Sequence, residues 1–274
     1  MAVKVILLDL DGTLLNSGKT ISTANYAALE KAAAMGVHIV PATGRFYEGL
    51  PKVVRDLPFV RYVVTVNGAE IYDTKEKQVL CKEELDPEEA LAIYEYLSSL
   101  PALCDAYVEG WGYMERSYYS RIEEFATVPY VAKMLRELRT LVDDMKAFLT
   151  QHKTQKVMAF FNDMDRRAVE LERVKALFPN TAVSSSISNN IEVNAKKATK
   201  GGARANLCAV LGIDVKDSMA FGDGSNDLGM IQNAGIGVAM GNAYPGLKEA
   251  ADFVTLTCDE DGVAHAITKF VFGE

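Results

Sequence analysis

Two short acidic segments stand at opposite ends of the chain, and each one directly follows an apolar run. They contain Asp9 and Asp11 after residues 3–8, and Asp223 and Asp227 after residues 218–221. Such runs are typical of buried parallel strands, so both acidic segments are predicted at the carboxyl ends of strands, where open α/β sheets bind ligands. Carboxylates gathered there repel one another unless a hard cation such as Mg2+ neutralises them. The sequence therefore predicts a metal-assisted enzyme.

The spacing of the N-terminal pair suggests separate chemical roles for its members. Side chains two positions apart in an extended segment point the same way, so Asp9 and Asp11 can face one reacting group. One carboxylate can attack while the other moves a proton, and an ionised Asp9 would raise the pKa of Asp11. Gly12 allows a sharp turn just beyond them. Taken alone, the same motif is also compatible with an ordinary turn or a weak cation site.

Motifs along nearly the whole chain match one family of enzymes. They are Asp9-Leu-Asp11-Gly-Thr13, Ala42-Thr43-Gly44-Arg45, Lys200-Gly201 and Gly222-Asp223-Gly-Ser-Asn226-Asp227. Their order resembles that of the haloacid dehalogenase-like (HAD) hydrolases. The long insertion between the second and third motifs, and the Asn67-Gly68-Ala69 hairpin before it, are similar to the Cof-type branch. This resemblance implies a phosphatase with an aspartyl-phosphate intermediate.

The resemblance assigns the catalytic roles of the first motif. Asp9 would be the nucleophile and Asp11 the general acid and base. The chemistry is sound, because a carboxylate that attacks phosphorus in line splits hydrolysis into two easier steps. Asp11 would protonate the leaving alkoxide and then take a proton from the water that cleaves the acyl phosphate.

The second and third motifs supply groups suited to a phosphoryl group. The hydroxyl of Thr43, with nearby backbone N–H groups and Gly44, could hold phosphoryl oxygens, and Lys200 would offset their charge. Lys196 and Lys197 precede Lys200, but the Lys-Gly pair favours Lys200, and the other two are expected at the surface. Arg45 could contact the substrate phosphate or cover a helix end.

The fourth motif would hold the metal. By the resemblance, Asp223 is the side-chain ligand of Mg2+, together with the Asp9 carboxylate and the backbone carbonyl of Asp11. Asn226 and Asp227 would act around that site, directly or through water, by orienting the ligands and Lys200. Asn226 and Asp227 are also good residues for a helix N-terminus, and both interpretations can hold together.

Composition limits the partners of the protein. The net charge of −8 and pI near 5.1 disfavour nucleic-acid binding, so a small-molecule phosphate ester is the expected partner. The four cysteines are scattered without a Cys-x-x-Cys pair, which favours free thiols in a reducing compartment. No apolar run approaches the roughly 18 residues of a membrane span. We therefore expect a cytoplasmic protein without membrane contact; the sequence does not indicate its oligomeric state.

The order of predicted elements indicates an α/β fold. Strands and helices alternate at both ends of the chain, as in a doubly wound, mostly parallel, Rossmann-like sheet. Residues 1–82 and 188–274 are predicted to form this catalytic core. Residues 83–187, which open with the capping-box sequence Asp86-Pro-Glu-Glu, are predicted to form an inserted α+β cap.

Aromatic side chains of the predicted cap are candidates for contacts with substrate. Trp111, Tyr113 and Tyr119 could form a substrate lid, or they could pack within the cap itself. The predicted function is a Mg2+-dependent phosphatase of a small phosphorylated metabolite, with sugar phosphates as the leading class. A phosphomutase similar to phosphomannomutases is the enzymatic alternative, and a response-regulator-like binding module is the non-enzymatic one.

Overall fold

The computed structural model describes residues 2–126 and 129–274. The described chain divides into two compact units. The core unit contains the chain up to Arg45, Leu50–Cys81 and Thr199–Glu274, and the inserted unit contains Phe46–Gly49 and Lys82–Ala198. The core unit contains a five-stranded and a three-stranded sheet, and the inserted unit contains a six-stranded sheet.

The first part of the core unit alternates strands and helices and ends in a group of short strands. Its elements are β1 (Val5–Leu8), α1 (Thr23–Ala34), β2 (His38–Pro41), α2 (Lys52–Arg55), β3 (Tyr62–Thr65), β4 (Glu70–Asp73) and β5 (Gln78–Lys82), the last ending at the first residue of the inserted unit. Helix α1 begins at Thr23, because the Ser22 side chain accepts a hydrogen bond from the Asn25 N–H and caps the helix.

The inserted unit mixes helices with antiparallel strands. Its elements are α3 (Pro87–Ser98), β6 (Leu103–Val108), β7 (Trp111–Glu115), α4 (Ile122–Phe125), α5 (Pro129–Glu137), β8 (Thr140–Val142), α6 (Met145–Leu149), β9 (Lys156–Phe160), α7 (Met164–Leu177), β10 (Thr181–Ser184) and β11 (Asn190–Ala195). Short elements such as β8 and α6 are absent from the sequence prediction, because three to five residues carry too little periodicity to identify them.

The chain then returns to the core unit. Its remaining elements are α8 (Lys200–Leu211), β12 (Ser218–Gly222), α9 (Leu228–Gln232), β13 (Ile236–Ala239), α10 (Pro245–Ala250), β14 (Phe253–Val254) and α11 (Gly262–Ile267), followed by a π-helical turn at Thr268–Phe272. Among the described residues, no helix combines the length and apolar character that crossing a membrane requires.

The central sheet of the core unit has the order β14-β13-β12-β1-β2, and its paired strands run parallel. Strand β1 is wholly buried, which explains its uninterrupted apolar sequence. Val5 and Leu7 on one face pack in a cluster with Leu207 of α8 and Met230 of α9. Ile6 and Leu8 alternate with them and are equally buried. The predicted doubly wound, mostly parallel sheet is confirmed.

A hairpin of the three-stranded sheet lies next to the end of β2, joined to it by a bridge between Ala42 and Val64. Strands β3 and β4 pair antiparallel around a tight turn, as the Asn-Gly sequence predicts. The N–H of Thr43 donates to the carbonyl of Val64 at 2.9 Å, and the N–H of Asn67 donates to the carbonyl of Thr43 at 2.9 Å. The chain after β2 is therefore tied to the hairpin turn.

The sheet of the inserted unit has the order β10-β11-β9-β6-β7-β8, antiparallel except for the β7–β8 pair. Helices α3 and α6 pack on one face of it. Strand β11 pairs with β9 from Asn190 to Asn194, so the compact unit extends to Ala198 and not to residue 187, the predicted end of the cap. The local sequence of β11 predicts a strand but does not indicate which of the two neighbouring sheets the strand joins. The end of the unit therefore could not be predicted from it.

The start of α3 also differs from the prediction in one respect. Asp86 occupies the N-cap position and Pro87 begins the helix, as expected. Within the described part of the chain, however, the Asp86 side chain makes no capping hydrogen bond, and its carboxylate lies 3.5 Å from Lys153 Nζ. The predicted capping box is therefore wrong, because Asp86 takes an ionic partner outside the helix.

Gly68 provides a test of how the hairpin and α8 fit together. Its φ is +104°, and a Cβ atom there would lie 2.2 Å from the backbone oxygen of Thr199, the N-cap of α8. Gly36 has a similar φ of +89° with nothing within 4 Å of its Cβ position. We expect Gly36→Ala to cost about 1 kcal/mol of the free energy of unfolding, from its backbone conformation alone.

Gly68→Ala should cost roughly 2 kcal/mol more than Gly36→Ala, because the backbone of α8 must also move. Urea unfolding of both variants measures the difference. Equal losses would show that the hairpin and the start of α8 are not tightly packed.

Candidate active site

Asp9 stands where β1 ends, and its backbone is fixed to the neighbouring strand. Its N–H donates to the carbonyl of Phe221 in β12 at 3.1 Å, so the first and fourth motifs meet directly. The Asp9 side chain is 13% exposed. The parallel pairing of β1 with β12 therefore delivers a nearly buried carboxylate to the carboxyl edge of the sheet, as the sequence predicts.

Lys200 is the buried cation of the site. It is the first residue of α8, and its Nζ lies 2.5 Å from Asp9 Oδ1 and 2.6 Å from Asp227 Oδ1. Burial alone would lower the pKa of Lys200, but the carboxylates of Asp227 and Asp9 raise it above its usual value. Lys196 and Lys197 are exposed. The structure thus brings to Asp9 the lysine that the Lys-Gly pair favours.

The Asp223 carboxylate contacts two residues of the first motif, Gly12 and Thr13. The hydroxyl of Thr13, which is fully buried, donates to Asp223 Oδ1 at 3.0 Å. Gly12 lies so close that a Cβ atom there would be 2.4 Å from Asp223 Oδ2, and its φ is +90°. Gly12 is therefore required both by the turn and by the approach of this carboxylate. The Thr13 hydroxyl thus links the first motif to the fourth.

Asp227 organises the loop after β12. Its Oδ2 accepts hydrogen bonds from the N–H of Asp223 at 3.0 Å and of Gly224 at 2.9 Å, while its Oδ1 faces Lys200. The side chain is fully buried. One carboxylate therefore shapes the loop that carries Asp223 and also orients the lysine, which are the two tasks expected of residues around the metal site.

The acidic side chains of Asp9, Asp223 and Asp227 form a group that could hold a metal ion. Each offers a carboxylate oxygen, and these oxygens lie within 4.8 Å of one another. Hard cations such as Mg2+ prefer such oxygen ligands. Within the described part of the chain, the side chain of Asp11 does not belong to this group.

Crowding of these carboxylates raises the pKa values of Asp9 and Asp223. Burial raises the pKa of Asp9 well above its usual range, and the charges of Asp227 and Asp223 add to this effect while Lys200 opposes it. Burial and the charge of Asp227 raise the pKa of Asp223 to about 6. Like charges held in a partly dry site are relieved by a bound cation, so the donor set fits a divalent metal.

Asp11 has different partners. Its Oδ1 accepts from Lys19 Nζ at 2.7 Å, and its Oδ2 accepts from Arg45 at 2.7 Å and 3.2 Å through two guanidinium nitrogens. Burial of Asp11 works against ionisation, but Arg45 and Lys19 outweigh it and lower the pKa of the carboxyl. The net shift of this pKa is therefore downward, and the expectation that a metal-held Asp9 raises it stays a prediction.

The second motif forms a turn beside these groups. Thr43 is 3% exposed, and its hydroxyl accepts a hydrogen bond from the N–H of Arg45 at 3.2 Å across Gly44. Arg45 pairs with Asp11 in this structure, and its contact with the substrate phosphate stays a prediction. Asn226 donates to the side-chain oxygen of Asn67 at 3.3 Å, which ties the fourth motif to the hairpin turn.

Lys19 and Asn242 also contact the first motif, and neither belongs to the four motifs that identify the site. The Asn242 amide donates to the carbonyl of Gly12 at 2.8 Å, and its oxygen accepts from the N–H of Cys258 at 2.9 Å, so it holds the first motif in place. Asn242 lies just after β13, and a position near a strand end is a sequence signal for such a residue. Lys19 lies in a polar stretch that carries no such signal.

The candidate lid residues belong to the inserted unit and differ in their surroundings. Tyr113 packs on Phe148 with ring centroids 4.6 Å apart, at the margin of the unit's own core. The Trp111 ring lies 5.0 Å from that of Phe46, and its indole N–H donates to Thr140 at 3.0 Å. Tyr119 is 38% exposed. Of these side chains, Tyr119 is the most accessible.

Comparison with known proteins identifies the family of the chain. A family model described as haloacid dehalogenase-like hydrolase matches residues 6–267. The chain is 32% identical to 5-amino-6-(5-phospho-D-ribitylamino)uracil phosphatase YcsE of Bacillus subtilis, over 98% of this chain and 96% of that protein.

Solved structures show the same relationship. A haloacid dehalogenase-like hydrolase from Bacillus subtilis has a TM-score of 0.85 at 28% identity, over 98% of this chain and 100% of that one. The HAD subclass IIB sugar phosphatase BT4131 has a TM-score of 0.83 at 26% identity, over 98% and 99%. With the motifs matched in order along a shared fold, the chain belongs to the haloacid dehalogenase-like hydrolases, in their Cof-type phosphatase branch.

Proposed function

We propose that this phosphatase is Mg2+-dependent and hydrolyses a small phosphorylated metabolite through an aspartyl phosphate on Asp9. The observation that carries the proposal is the environment of the Asp9 carboxylate. It stands at the end of a strand, with Lys200 on one oxygen and the carboxylates of Asp223 and Asp227 close by. A nearly buried carboxylate beside a fixed cation and a potential metal site is suited to attack phosphorus.

The residues of the chain divide the first step among them. Asp9 attacks the phosphorus in line as the ester oxygen leaves. Asp11 gives that oxygen a proton, so it must be protonated for this step although Arg45 and Lys19 lower its pKa in the structure. Lys200 offsets negative charge on the transferring oxygens, since its ammonium already lies 2.5 Å from Asp9. The Thr43 hydroxyl and the backbone around Gly44 orient the phosphoryl group. In the second step, Asp11 takes a proton from the water that releases phosphate from Asp9.

The carboxylates of Asp9 and Asp223 and the backbone carbonyl of Asp11 would hold the metal. When bound, the cation supplies positive charge that draws the phosphate to Asp9 and lowers the repulsion between the two anions. Asp227 and Asn226 keep the loop around Asp223 in place through the hydrogen bonds described above.

The names of the relatives support a polyhydroxylated substrate. One relative acts on a phosphorylated ribitylamino compound and another is a sugar phosphatase. Both names describe small phosphate monoesters with a hydroxylated carbon chain. We therefore propose sugar phosphates and related sugar-alcohol phosphates as the substrate class, with the inserted unit, including Tyr119, selecting among them.

Asp9→Asn tests the nucleophile. The amide keeps the size of the side chain but cannot attack phosphorus, so kcat should fall below about a thousandth of the wild-type value, a loss of about 4 kcal/mol in transition-state stabilisation. Circular dichroism should show an unchanged fold, and Asp56→Asn, at an exposed aspartate of the same unit, should keep full activity. Turnover by Asp9→Asn above that level would rule out covalent catalysis through Asp9.

Metal removal tests the cofactor. A chelator should abolish activity, Mg2+ should restore it, and Ca2+ should inhibit, because Ca2+ takes more ligands at longer distances and disturbs in-line geometry. Asp223→Asn should raise the Mg2+ concentration for half-maximal activity by at least about tenfold more than Asn226→Ala does, since Asn226 contacts Asn67 and not the acidic group. Full activity in metal-free buffer would contradict the proposal.

Paired tyrosine variants test the inserted unit. Tyr119→Ala should raise KM for sugar phosphates by about three- to tenfold and leave hydrolysis of para-nitrophenyl phosphate nearly unchanged, because the aryl ester relies on core contacts alone. Tyr113→Ala should instead lower the free energy of unfolding by roughly 2 kcal/mol, because its ring packs on Phe148. Equal kinetic losses on both substrates for Tyr119→Ala would exclude a role in selecting substrates.

A further inference from the structure

The hairpin turn between β3 and β4 contains a strained residue. Val66, Asn67 and Gly68 all have positive φ angles, of +51°, +58° and +104°. Within the part of the chain that the structure describes, Val66 is the one β-branched residue with a positive φ. The left-handed conformation is a genuine outlier for such a side chain, and Val66 is also fully buried. Strain of this kind persists only where the surrounding structure imposes it, and it is concentrated at functional positions.

Reversal of the chain does not require this conformation of Val66. A two-residue Asn-Gly turn needs positive φ angles only at Asn67 and Gly68, and it leaves the preceding residue extended in the strand. The N–H of Ala69 donates to the carbonyl of Val66 at 3.2 Å, as in such a turn. The additional left-handed residue therefore changes the direction of the Val66 N–H without being needed for the hairpin.

The N–H groups of the strained turn bind the backbone of the second motif. The N–H of Val66 donates to the carbonyl of Arg45 at 2.9 Å, and the N–H of Asn67 donates to the carbonyl of Thr43 at 2.9 Å. These two bonds span residues 43–45, named here the phosphate-binding turn because the proposed mechanism places the phosphoryl group against it. The left-handed backbone thus joins two consecutive N–H groups to that turn.

The phosphate-binding turn is also attached to β1. The N–H of Ala42 donates to the carbonyl of Leu8, the residue before Asp9, at 2.7 Å. One end of the phosphate-binding turn is therefore fixed to the strand that carries the proposed nucleophile. The N–H groups of Val66 and Asn67 then determine the direction in which the rest of the turn extends from that strand.

Helix α8 holds the strained turn from another direction. A Cβ atom at Gly68 would lie 2.2 Å from the backbone oxygen of Thr199, the residue before Lys200. Contact of backbone with backbone leaves the turn little room to relax, which is the external constraint that a strained residue needs. The strained turn therefore contacts two segments that the proposed mechanism places on the phosphoryl group.

We propose that Val66 is a positioning residue for the phosphate-binding turn. Its left-handed backbone directs the N–H groups of Val66 and Asn67 onto the carbonyls of Arg45 and Thr43, and so fixes where the turn presents its donors to the phosphoryl group. This inference rests on the proposed function, in which Thr43 and the backbone around Gly44 orient that group. Val66 itself touches neither substrate nor reacting atoms in this role.

Two substitutions at Val66 separate positioning from packing. Val66→Pro removes the N–H and fixes φ at about −65°, and Thr65 before it already has the extended backbone that a following proline requires. Its kcat/KM should fall by about tenfold or more, since a misplacement of about 1 Å can cost about 10²-fold. Val66→Gly removes the buried side chain but keeps the N–H and adopts a positive φ readily, so its kcat/KM should stay within about threefold of wild type.

The loss for Val66→Pro should have the signature of phosphate positioning. All monoesters share the phosphoryl group, so the loss should agree within about threefold for phenyl phosphate, para-nitrophenyl phosphate and glucose 6-phosphate. Binding of inorganic phosphate in the presence of Mg2+, measured by calorimetry, should weaken by about fivefold or more, the contribution of about one hydrogen bond. The Mg2+ concentration for half-maximal activity should stay within about twofold of wild type, because the contacts of Val66 are with the second motif.

Lys77→Pro is the matched control. Lys77 has a φ of +54° in the turn between β4 and β5 of the same unit, and it is exposed. The same change from a left-handed residue to proline should leave kcat/KM and phosphate affinity at the wild-type values there. A loss for Lys77→Pro equal to that for Val66→Pro would assign the effect to general disturbance of the three-stranded sheet.

Hydrogen exchange of the wild-type protein tests the inference if circular dichroism shows that Val66→Pro does not fold. The amides of Val66 and Asn67 should exchange about fivefold or more slowly with Mg2+ and inorganic phosphate than with Mg2+ alone. The reason is that bound phosphate stabilises the turn whose carbonyls these amides bind. Exchange that does not respond to phosphate would overturn the inference.

Other results would also overturn it. Wild-type kinetics of Val66→Pro would show that the phosphate-binding turn does not depend on the left-handed residue, and equal losses for Val66→Gly and Val66→Pro would assign the effect to side-chain packing. A loss confined to one ester, or a large change in the Mg2+ requirement, would contradict phosphate positioning. The proposed function fails separately, if Asp9→Asn remains active, whatever Val66→Pro does.

Discussion

The shared ammonium of Lys200 is the interaction on which the core unit's site depends. A fully buried cation is tolerated only with anionic partners, and Lys200 has Asp9 and Asp227 within 2.6 Å. The same contact compensates two carboxylates that would otherwise be buried beside each other. Each member of this charge group stands on a different element: Asp9 after β1, Lys200 on α8 and Asp227 in the loop after β12. The positions of these three elements therefore depend on one another.

A set of small contacts then converts that charge group into a defined geometry. Thr13 and Gly12 let Asp223 approach the first motif, and Asn242 holds the carbonyl of Gly12 from the far end of the chain. Asn67 reaches Asn226 from the hairpin. These residues bear no charge, but their contacts determine which carboxylates lie close together and which carboxylate lies between cations. Asp9 and Asp223 lie in the acidic group, whereas Asp11 lies between Arg45 and Lys19.

The strands and long helices of the core, and the charged residues at strand ends, could be predicted because their signals are local. Apolar runs identify β1 and β12, and parallel pairing then places Asp9 and Asp223 at one edge. What could not be predicted depends on distant partners. The anchor of the turn at Ser17 is Asp259, 242 positions away, and the pKa of Asp11 follows from the side-chain directions of Arg45 and Lys19. The end of the inserted unit follows from the partner of β11.

The strand order has a consequence for synthesis of the protein on the ribosome. Strand β1 can pair with β2 as soon as both have emerged, but its other neighbour, β12, is made roughly 200 residues later. At about 5–20 residues per second, one edge of the most apolar strand stays unpaired for roughly ten to forty seconds. The inserted unit is almost continuous in sequence and can fold during that interval. The nascent chain therefore has a defined window in which a chaperone protecting one strand edge would raise the yield of folded enzyme.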